Sequence, residues 1–330
     1  MLNIQSCIIV GSGISGLSAA RRLREYAVDL TLIEKGRAPG GRMATHTDGA
    51  SIFDHGAQFV TTRELAFRKR VENWVDKNAV KPWYVGPLGN MRYVGITGMR
   101  SIPDLLSKEL NVRYSETVTK IRFNKKNVWT VTVLPHGETK TKTYQSDFLV
   151  LTAPVPQSLK LLQDSNVELD YDEEEELSRI KYVRCISVMA KLNGPAGLPN
   201  PGAMDLNHDV LRWIGDNYAK GVSPVEGTIT IHSSPKFADR YWDASDEERI
   251  PLMLAAAKPF LKSDVVETAS HRWGFSEPTR IYKEKQPFRV PYYLDEDHRI
   301  ALCGDGFNGP RIEAAAISGA SLAERLVRPY

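Results

Sequence analysis

The sequence predicts an α/β fold: a doubly wound, Rossmann-like domain with an inserted, mainly antiparallel β domain. An apolar strand, a glycine-rich turn, a helix and a second strand follow one another at the start of the chain, and another apolar strand precedes a helix at its end. Between these regions lie short strands separated by loops rich in Gly, Pro, Asn and Asp. Such loops are typical of an antiparallel sheet.

The opening βαβ unit is predicted from the strand Cys7–Val10, the helix Leu17–Tyr26 and the strand Leu30–Glu34. Its first strand is apolar throughout, as burial on both faces of a parallel sheet requires. The region Gly36–Thr62 is predicted to be a long loop, because glycine and proline pairs interrupt it.

The other predicted elements alternate with loops along the rest of the chain. The acidic run Asp172–Glu176 is predicted to open a surface helix, where carboxylates suit the positive end of the helix dipole. The remaining elements are strands at Phe148–Thr152, Cys185–Leu192, Val210–Gly215, Thr228–His232, Thr268–Phe275 and Ile300–Leu302, a hairpin at Lys120–Leu134, and helices at Glu64–Lys77 and Ile312–Leu326.

The last strand and helix are expected to complete the first domain, so the second domain is inserted in it. The predicted cofactor-binding domain comprises residues 1–73, 101–157 and 297–330, and the predicted substrate-binding domain comprises residues 74–100 and 158–296. We expect the active site where the two domains meet, as in other doubly wound folds.

Composition excludes several classes of protein. A chain of 330 residues with 42% apolar and 25% charged residues is ordinary for a globular protein, and its net charge of +3 is too small for the field that nucleic-acid binding needs. No run approaches the ~20 apolar residues of a membrane helix. The cysteines Cys7, Cys185 and Cys303 lie far apart, so neither a metal site nor a disulfide framework is expected, and a cytoplasmic location fits.

The residues Gly11, Gly13 and Gly16 match the G-x-G-x-x-G pattern of dinucleotide-binding turns. The first glycine allows the tight turn, the second allows the backbone to approach a pyrophosphate, and the third allows close packing of helix and strand. Glu34 follows 21 residues after Gly13, at the end of the second strand, where a carboxylate can accept hydrogen bonds from the ribose hydroxyls. The combination predicts a bound dinucleotide. The carboxylate would repel a 2′-phosphate, which argues against NADP as the tightly held nucleotide, but it does not separate FAD from NAD.

Two further motifs are less specific by themselves. Gly40-Gly41-Arg42-Met43 pairs small residues with a guanidinium that can bind phosphate oxygens, although a glycine turn with a surface arginine has the same pattern. Gly304-Asp305-Gly306 precedes a helix rich in alanine, which a tightly packed core helix would also explain.

Taken together, these motifs resemble the flavoprotein family of amine oxidases, phytoene desaturases and renalases, and the resemblance is strongest to renalases over nearly the whole chain. The segments that carry it are GSGISGLSAA at the start, GGRM at 40–43, DHGAQF at 54–59, LTAPVPQ at 151–157, TITIHSS at 228–234, HRW at 271–273 and GDGF at 304–307.

The resemblance implies noncovalently bound FAD. It assigns Arg42 to the pyrophosphate, Asp305 to the phosphate and ribityl portion, and the start of the helix after Arg311 to the flavin pyrimidine carbonyl. The cofactor-binding residues that it implies are Gly11, Gly13, Ser15, Gly16, Glu34, Lys35, Gly41, Arg42, Met43, Gln58, Val118, Gly304, Asp305, Arg311 and Ile312.

The resemblance also implies an activity: oxidation of reduced nicotinamide nucleotides that carry the hydride at ring position 2 or 6, with oxygen as electron acceptor and NAD(P)⁺ and hydrogen peroxide as products. Hydride transfer to flavin N5 needs no general base. Separately from the resemblance, Arg92 and Tyr93, beside the loop Gly95–Gly98, could meet substrate phosphate, although a surface position explains them at least as well. The pocket candidates are Gln58, Phe59, Trp213, His232 and Trp273.

Two alternatives stay open at this point. One is an FAD-dependent amine oxidase or a related desaturase. The other is a flavin- or nucleotide-binding redox sensor without turnover.

Overall fold

The computed structural model describes residues 4–328. The strands are β1 (Ser6–Val10), β2 (Asp29–Ile33), β3 (Thr45–Asp48), β4 (Ser51–Asp54), β5 (Val60–Thr61), β6 (Val80–Val85), β7 (Met91–Gly95), β8 (Val112–Arg113), β9 (Glu116–Phe123), β10 (Trp129–Pro135), β11 (Lys142–Ser146), β12 (Phe148–Leu151), β13 (Tyr182–Leu192), β14 (Ala203–Asp205), β15 (Leu211–Asp216), β16 (Thr228–Ser233), β17 (Val265–Pro278), β18 (Tyr292–Asp295) and β19 (Ile300–Cys303). The helices are α1 (Ile14–Arg24), α2 (Leu65–Asp76), α3 (Ser101–Ser107), α4 (Val155–Asp164), α5 (Tyr171–Ser178), α6 (Pro235–Arg240), α7 (Asp246–Ala257) and α8 (Ile312–Val327).

The chain divides into two compact units, each built from separate segments. Unit 1 comprises Met1–Gly41, Pro103–Lys181 and Pro278–Tyr330, and unit 2 comprises Arg42–Ile102 and Tyr182–Glu277. These bounds differ from the predicted domains, which placed residues 42–73 and 101–102 with the first domain and residues 158–181 and 278–296 with the second.

Local packing accounts for the differences in the bounds. The hairpin β3–β4 packs on β16 of unit 2, whereas α4 packs on β9 of unit 1. Strand β18 pairs with β19 and extends the sheet of unit 1. The edge strand β18 and the short helices α4 and α5 carry no sequence signal that assigns them to one sheet or the other.

The main sheet of unit 1 has the strand order β18-β19-β12-β1-β2-β8. Strands β19, β12, β1, β2 and β8 run parallel, and β18 is antiparallel at the edge. The central strand β12 is buried along its whole length, and β1 is buried except at its ends. The predicted fold class is therefore confirmed, and a second sheet, β11-β10-β9, contains the predicted hairpin.

Helix α8 packs closely on α1 because its contact face consists of small residues. A Cβ built on Gly319 would lie 2.0 Å from the carbonyl oxygen of Ser15, so no larger residue fits there. The Ser15 hydroxyl also donates to the sulfur of Cys303 on β19, at 3.2 Å. The C-terminal helix thus fixes the start of α1 from one side while the sheet supports it from the other.

The main sheet of unit 2 has the order β14-β15-β16-β13-β17, and its assigned pairings are antiparallel. Apolar side chains of β13, β15 and β16 pack with α6 and α7 to form a core that includes Ile186, Val188, Ile214, Ile231 and Phe237. The predicted, mainly antiparallel second sheet is confirmed. Two small sheets, β3-β4 and β5-β7-β6, complete the unit.

The region predicted as one long loop, Gly36–Thr62, contains regular structure, so that prediction was wrong in part. Thr45–Asp48 and Ser51–Asp54 form an antiparallel hairpin across the turn Gly49-Ala50. Gly49 has a φ of +58°, in the left-handed region that two-residue hairpin turns require.

The three cysteines are buried and none forms a disulfide. Burial raises the pKa of the Cys185 and Cys303 thiols to about 12 and that of Cys7 still further. Within residues 4–328, no helix is both long enough and apolar enough to cross a bilayer.

Candidate functional site

The turn between β1 and α1 depends on two glycines for its shape. Gly11 has a φ of +107° and donates its N–H to the carbonyl of Ile33, at 2.8 Å. A Cβ built on Gly16 would lie 2.2 Å from the carbonyl oxygen of Gly11. The first turn of α1 therefore lies so close to the end of β1 that no side chain fits at Gly16.

Gly13 has a different environment, because a Cβ built on it would meet nothing within 4 Å. It is also the N-cap of α1, and no side chain caps the N–H groups of the first turn. An open backbone at an uncapped helix start is what a diphosphate requires, since it needs both space and N–H donors. This turn therefore fits the pyrophosphate of FAD.

A second glycine segment lies against this turn within unit 1. Gly40 forms a parallel bridge with Gly13 and donates its N–H to the carbonyl of Ser12, at 3.0 Å. A Cβ built on Gly41 would lie 3.7 Å from the Cα of Gly13. The two glycine motifs that the sequence singled out are thus neighbours in space.

The Glu34 carboxylate holds this turn in place. Its Oε2 accepts hydrogen bonds from the N–H and the hydroxyl of Ser12, both at 2.9 Å, and its Oε1 accepts from the N–H of Gly36 at 2.7 Å. A carboxylate offers about four acceptor positions, so about one remains for a ribose hydroxyl. Glu34 therefore supports the loop, and its binding to ribose stays a prediction.

The late glycine motif adopts an equally specific conformation. Gly304 has a φ of +151° and donates its N–H to the hydroxyl of Ser318 on α8, at 2.9 Å. The Asp305 side chain is buried and accepts from the N–H of Gly306 at 3.1 Å. Arg311 is the N-cap of α8 and leaves its first turn without a side-chain cap.

The other predicted cofactor residues vary in exposure, and none of the roles assigned to them is tested by the structure. Lys35 is exposed, Val118 and Ile312 are half-buried, and Met43 is buried. In unit 2, the Arg42 guanidinium donates to the carbonyls of Phe275 and Ser276, at 3.2 and 3.1 Å. Its predicted contact with the pyrophosphate stays a prediction.

A buried ion pair fixes the segment Asp54–Phe59 in unit 2. The Lys220 ammonium lies 2.9 Å from Oδ2 of Asp54, and neither side chain is exposed to solvent. The ammonium also donates to Oε1 of Gln58 at 3.2 Å, while the Gln58 amide nitrogen donates to the carbonyls of Asp54 and Gly56. Both ends of the Gln58 amide are therefore held by protein groups.

Four histidines form a cluster next to this segment: His46, His55, His232 and His271. The His55 ring stacks on Trp273, with centroids 5.3 Å apart, and its carbonyl accepts a hydrogen bond from the Trp273 indole at 2.8 Å. Desolvation lowers the pKa of His55 and of His232 to about 4. Both imidazoles are therefore neutral near pH 7.

Four rings form a second group, the aromatic frame: Phe59, Trp83, Tyr84 and Trp213. Trp213 contacts both Phe59 and Trp83, with centroid distances of 5.8 and 6.4 Å. The Trp213 side chain is buried, and its indole N–H has no hydrogen-bond partner among residues 4–328.

Unit 2 thus brings all five predicted pocket candidates into these groups, although contact with a substrate remains untested. Sequence reasoning missed the roles of Asp54, His55 and Lys220. The motif DHGAQF contained the first two, but Lys220 follows Asp-Asn-Tyr-Ala and precedes glycine, as a solvated turn would. Among the described residues, no group of three or more His, Cys, Asp or Glu side chains could hold a metal ion.

These features define a dinucleotide-binding oxidoreductase of the flavoprotein class. Residues 9–74 match the sequence model of the NAD(P)-binding Rossmann-like domain, and residues 72–327 match that of flavin containing amine oxidoreductases. The chain belongs to the flavin containing amine oxidoreductase family. It is an FAD-dependent oxidoreductase, and FAD is its cofactor.

Individual relatives resemble the chain to different extents. Mouse (Mus musculus) renalase is 24% identical over 347 residues, covering 97% of this chain and 98% of the mouse protein. Hydroxyneurosporene desaturase of Cereibacter sphaeroides is 39% identical, but only over 19% of this chain and 12% of its own length. A structure of putrescine oxidase bound to putrescine superposes with a TM-score of 0.65 at 16% identity, over 98% of this chain and 99% of that one, which shows a shared fold.

The Gly13→Ala variant separates cofactor binding from folding. We expect it to fold as stably as the parent without FAD, because its Cβ meets no protein atom, but to bind FAD about tenfold or more weakly, because the methyl occupies space that the diphosphate needs. Flavin titration and urea unfolding measure the two effects. Gly16→Ala is the matched control and should lose stability, since its Cβ overlaps the Gly11 carbonyl. Equal FAD affinity in parent and Gly13→Ala would contradict the assignment.

The Lys220→Met variant tests the buried ion pair. It leaves the Asp54 carboxylate buried without its cation, which costs about 3–5 kcal/mol of unfolding free energy. Adding Asp54→Asn should recover much of this loss. The control is Lys236→Met, which removes the exposed pair with Asp209 and should cost much less, because water already solvates both charges. Urea unfolding measures the free energy of unfolding of each variant. Equal decreases in the two lysine variants would rule out a structural role for the buried pair.

The lowered histidine pKa values predict a pH dependence of stability. Between the ordinary pKa of 6.5 and the native value of about 4, the unfolded chain binds more protons than the native chain. The contribution of neutral His55 and His232 to the free energy of unfolding is therefore complete above pH 6.5, and it is lost as the pH falls toward 4. Urea unfolding at a series of pH values should show a shallower slope in His232→Gln, whereas His136→Gln, at an exposed position, should leave it unchanged. Parallel slopes in all three proteins would contradict the buried neutral state.

Proposed function

We propose that this protein is an oxidase that takes a hydride from isomeric (2- or 6-dihydro) reduced nicotinamide nucleotides and passes the electrons to oxygen, giving NAD(P)⁺ and hydrogen peroxide. FAD, when bound, supplies the hydride acceptor at N5 and the site of reaction with oxygen. The similarity to mouse renalase supports this proposal, because it extends over nearly the whole length of both chains.

The observation that carries the proposal is the neutral, aromatic character of the pocket candidates in unit 2. Phe59, Trp213 and Trp273 offer flat surfaces, and His232 is uncharged near pH 7. A dihydronicotinamide becomes an aromatic cation when it loses a hydride, so no side chain has to remove a proton. The charged pair Lys220–Asp54 is closed to solvent and therefore supplies no accessible base.

The roles of these residues in the proposed reaction are to orient the substrate and to exclude water. Trp273 is held by its bond to the His55 carbonyl and by stacking on the His55 ring, so its plane is fixed before substrate arrives. Hydrogen bonds of Gln58 and Lys220 hold the segment that carries Phe59 in one conformation. Such preorganisation favours the short, aligned approach that hydride transfer needs.

The state of the cysteines supports a proposal about the location of the protein in the cell. The three cysteines are free, buried thiols, as is usual in a reducing compartment. We therefore propose a cytoplasmic location, with a small-molecule substrate and oxygen as partners and no nucleic acid.

The test is anaerobic reduction of the flavin. The holoenzyme is mixed with the dihydro isomers present in borohydride-reduced NAD⁺, and the visible flavin absorption band is followed. We expect rapid bleaching by those isomers, slow or no bleaching by ordinary 4-dihydro NADH, and colour recovery with equimolar peroxide when oxygen is admitted.

Other outcomes identify the alternatives. Bleaching by amines but not by dihydronicotinamides would contradict the proposal and indicate an amine oxidase. A flavin that is reduced once and not reoxidised over many cycles would indicate a redox sensor.

A further inference from the structure

The guanidinium of Arg92, on β7 of unit 2, lies over two rings of the aromatic frame. Its Cζ lies 4.0 Å from the centroid of Phe59 and 5.0 Å from that of Tyr84. Stacking on aromatic faces fixes the plane of a guanidinium and so the directions of its N–H groups. The Arg92 side chain is 12% exposed, so it is largely buried but still reaches solvent.

Tyr84 extends this set of donors. Its hydroxyl oxygen accepts a hydrogen bond from Nη1 of Arg92, which leaves the hydroxyl hydrogen to donate elsewhere. Burial raises the pKa of Tyr84, so the phenol keeps that hydrogen. Arg92 and Tyr84 together present a rigid group of N–H and O–H donors.

The carboxylate that pairs with Arg92, that of Asp205, is a weak partner. Oδ2 of Asp205 lies 3.3 Å from Nη2 and 3.5 Å from Nη1, beyond the usual length of a charge-assisted bond, and the Asp205 side chain is 65% exposed. Exposed pairs of this kind contribute little to stability. The contrast with the closed Lys220–Asp54 pair indicates that Asp205 can be replaced by another anion.

The residues around Arg92 indicate which kind of anion could replace Asp205. Phe59 links the guanidinium to Trp213, whose buried indole N–H lacks an acceptor among the described residues. A buried donor without an acceptor costs free energy that a ligand atom can recover. Planar rings beside a set of anion donors match a ligand that joins an aromatic ring to a phosphate, which is a nucleotide.

We propose that Arg92 and Tyr84 form a phosphate subsite for the substrate nucleotide, and that the phosphate displaces Asp205 from the guanidinium. This inference rests on the proposed function, and it adds to that function the group by which the nucleotide is recognised away from its reacting ring. A flat guanidinium binds two phosphate oxygens at once, and the Tyr84 hydroxyl can bind the third.

The rival explanation is a structural ion pair between two strands, and the two explanations predict opposite signs for one variant. If Arg92 and Asp205 only support each other, removing either charge harms the protein in the same direction. If Asp205 competes with phosphate, Asp205→Asn should improve binding while Arg92→Met weakens it.

The kinetic test compares two substrates that differ by the phosphate: the borohydride-reduced isomers of nicotinamide mononucleotide and of nicotinamide riboside. In Arg92→Met we expect KM for the mononucleotide to rise about tenfold or more, with little change in kcat and no change for the riboside. The control is Arg184→Met, since Arg184 also stacks on a ring, Trp242 at 4.7 Å, and pairs at 4.0 Å with an exposed aspartate, Asp239. Equal losses for mononucleotide and riboside would overturn the subsite.

If no dihydronicotinamide reduces the flavin, the proposed function is refuted but the phosphate subsite is not. A binding test decides on the subsite independently. Inorganic pyrophosphate is titrated into the holoenzyme while tryptophan fluorescence is followed. We expect saturable binding that weakens in Arg92→Met, tightens in Asp205→Asn and is unchanged in Arg184→Met. Absence of binding in the parent, or a loss of affinity in Asp205→Asn, would overturn the inference.

Discussion

The close backbone approach between Gly16 and the Gly11 carbonyl in unit 1 is the constraint from which the cofactor site follows. It places the open end of α1 directly beyond β1, with the uncapped N–H groups around Gly13 turned to free space. The same helix is fixed from its other side where Gly319 of α8 meets Ser15. Small residues at these contacts are therefore a geometric necessity, because any side chain would move the helix start away from the strand.

In unit 2, the segment Asp54–Phe59 is held by polar groups whose charges are closed to solvent. Lys220 and Asp54 neutralise each other out of contact with water, and the nearby His55 and His232 stay unprotonated near pH 7. A buried pair of this kind stabilises little compared with apolar packing, but it tolerates no misplacement of either partner. It therefore fixes the segment Asp54–Phe59 in one conformation, which suits a reaction that depends on orientation.

The parts of this architecture that depend on local backbone rules could be predicted from the sequence, and the parts that depend on distant partners could not. The glycine spacing, the apolar strands and the small residues of α8 have direct physical meanings, and each predicted its element. The hairpin β3–β4 was missed because its strands, THTD and SIFD, lack a clear alternation of apolar and polar residues, although Asp48-Gly49 is a common hairpin turn. Lys220 had no signal, since its partner Asp54 is distant in the chain.

The three thiols have a consequence for the proposed reaction, in which peroxide forms beside the polypeptide. Peroxide attacks the thiolate form of cysteine, and a thiol that is both enclosed and held far above its ordinary pKa forms almost none of it. Cys303 is the last residue of β19, directly before the cofactor motif. Its thiol is nevertheless buried and accepts a hydrogen bond from the Ser15 hydroxyl. The burial of these thiols would therefore protect them from oxidation by the peroxide that the proposed reaction releases.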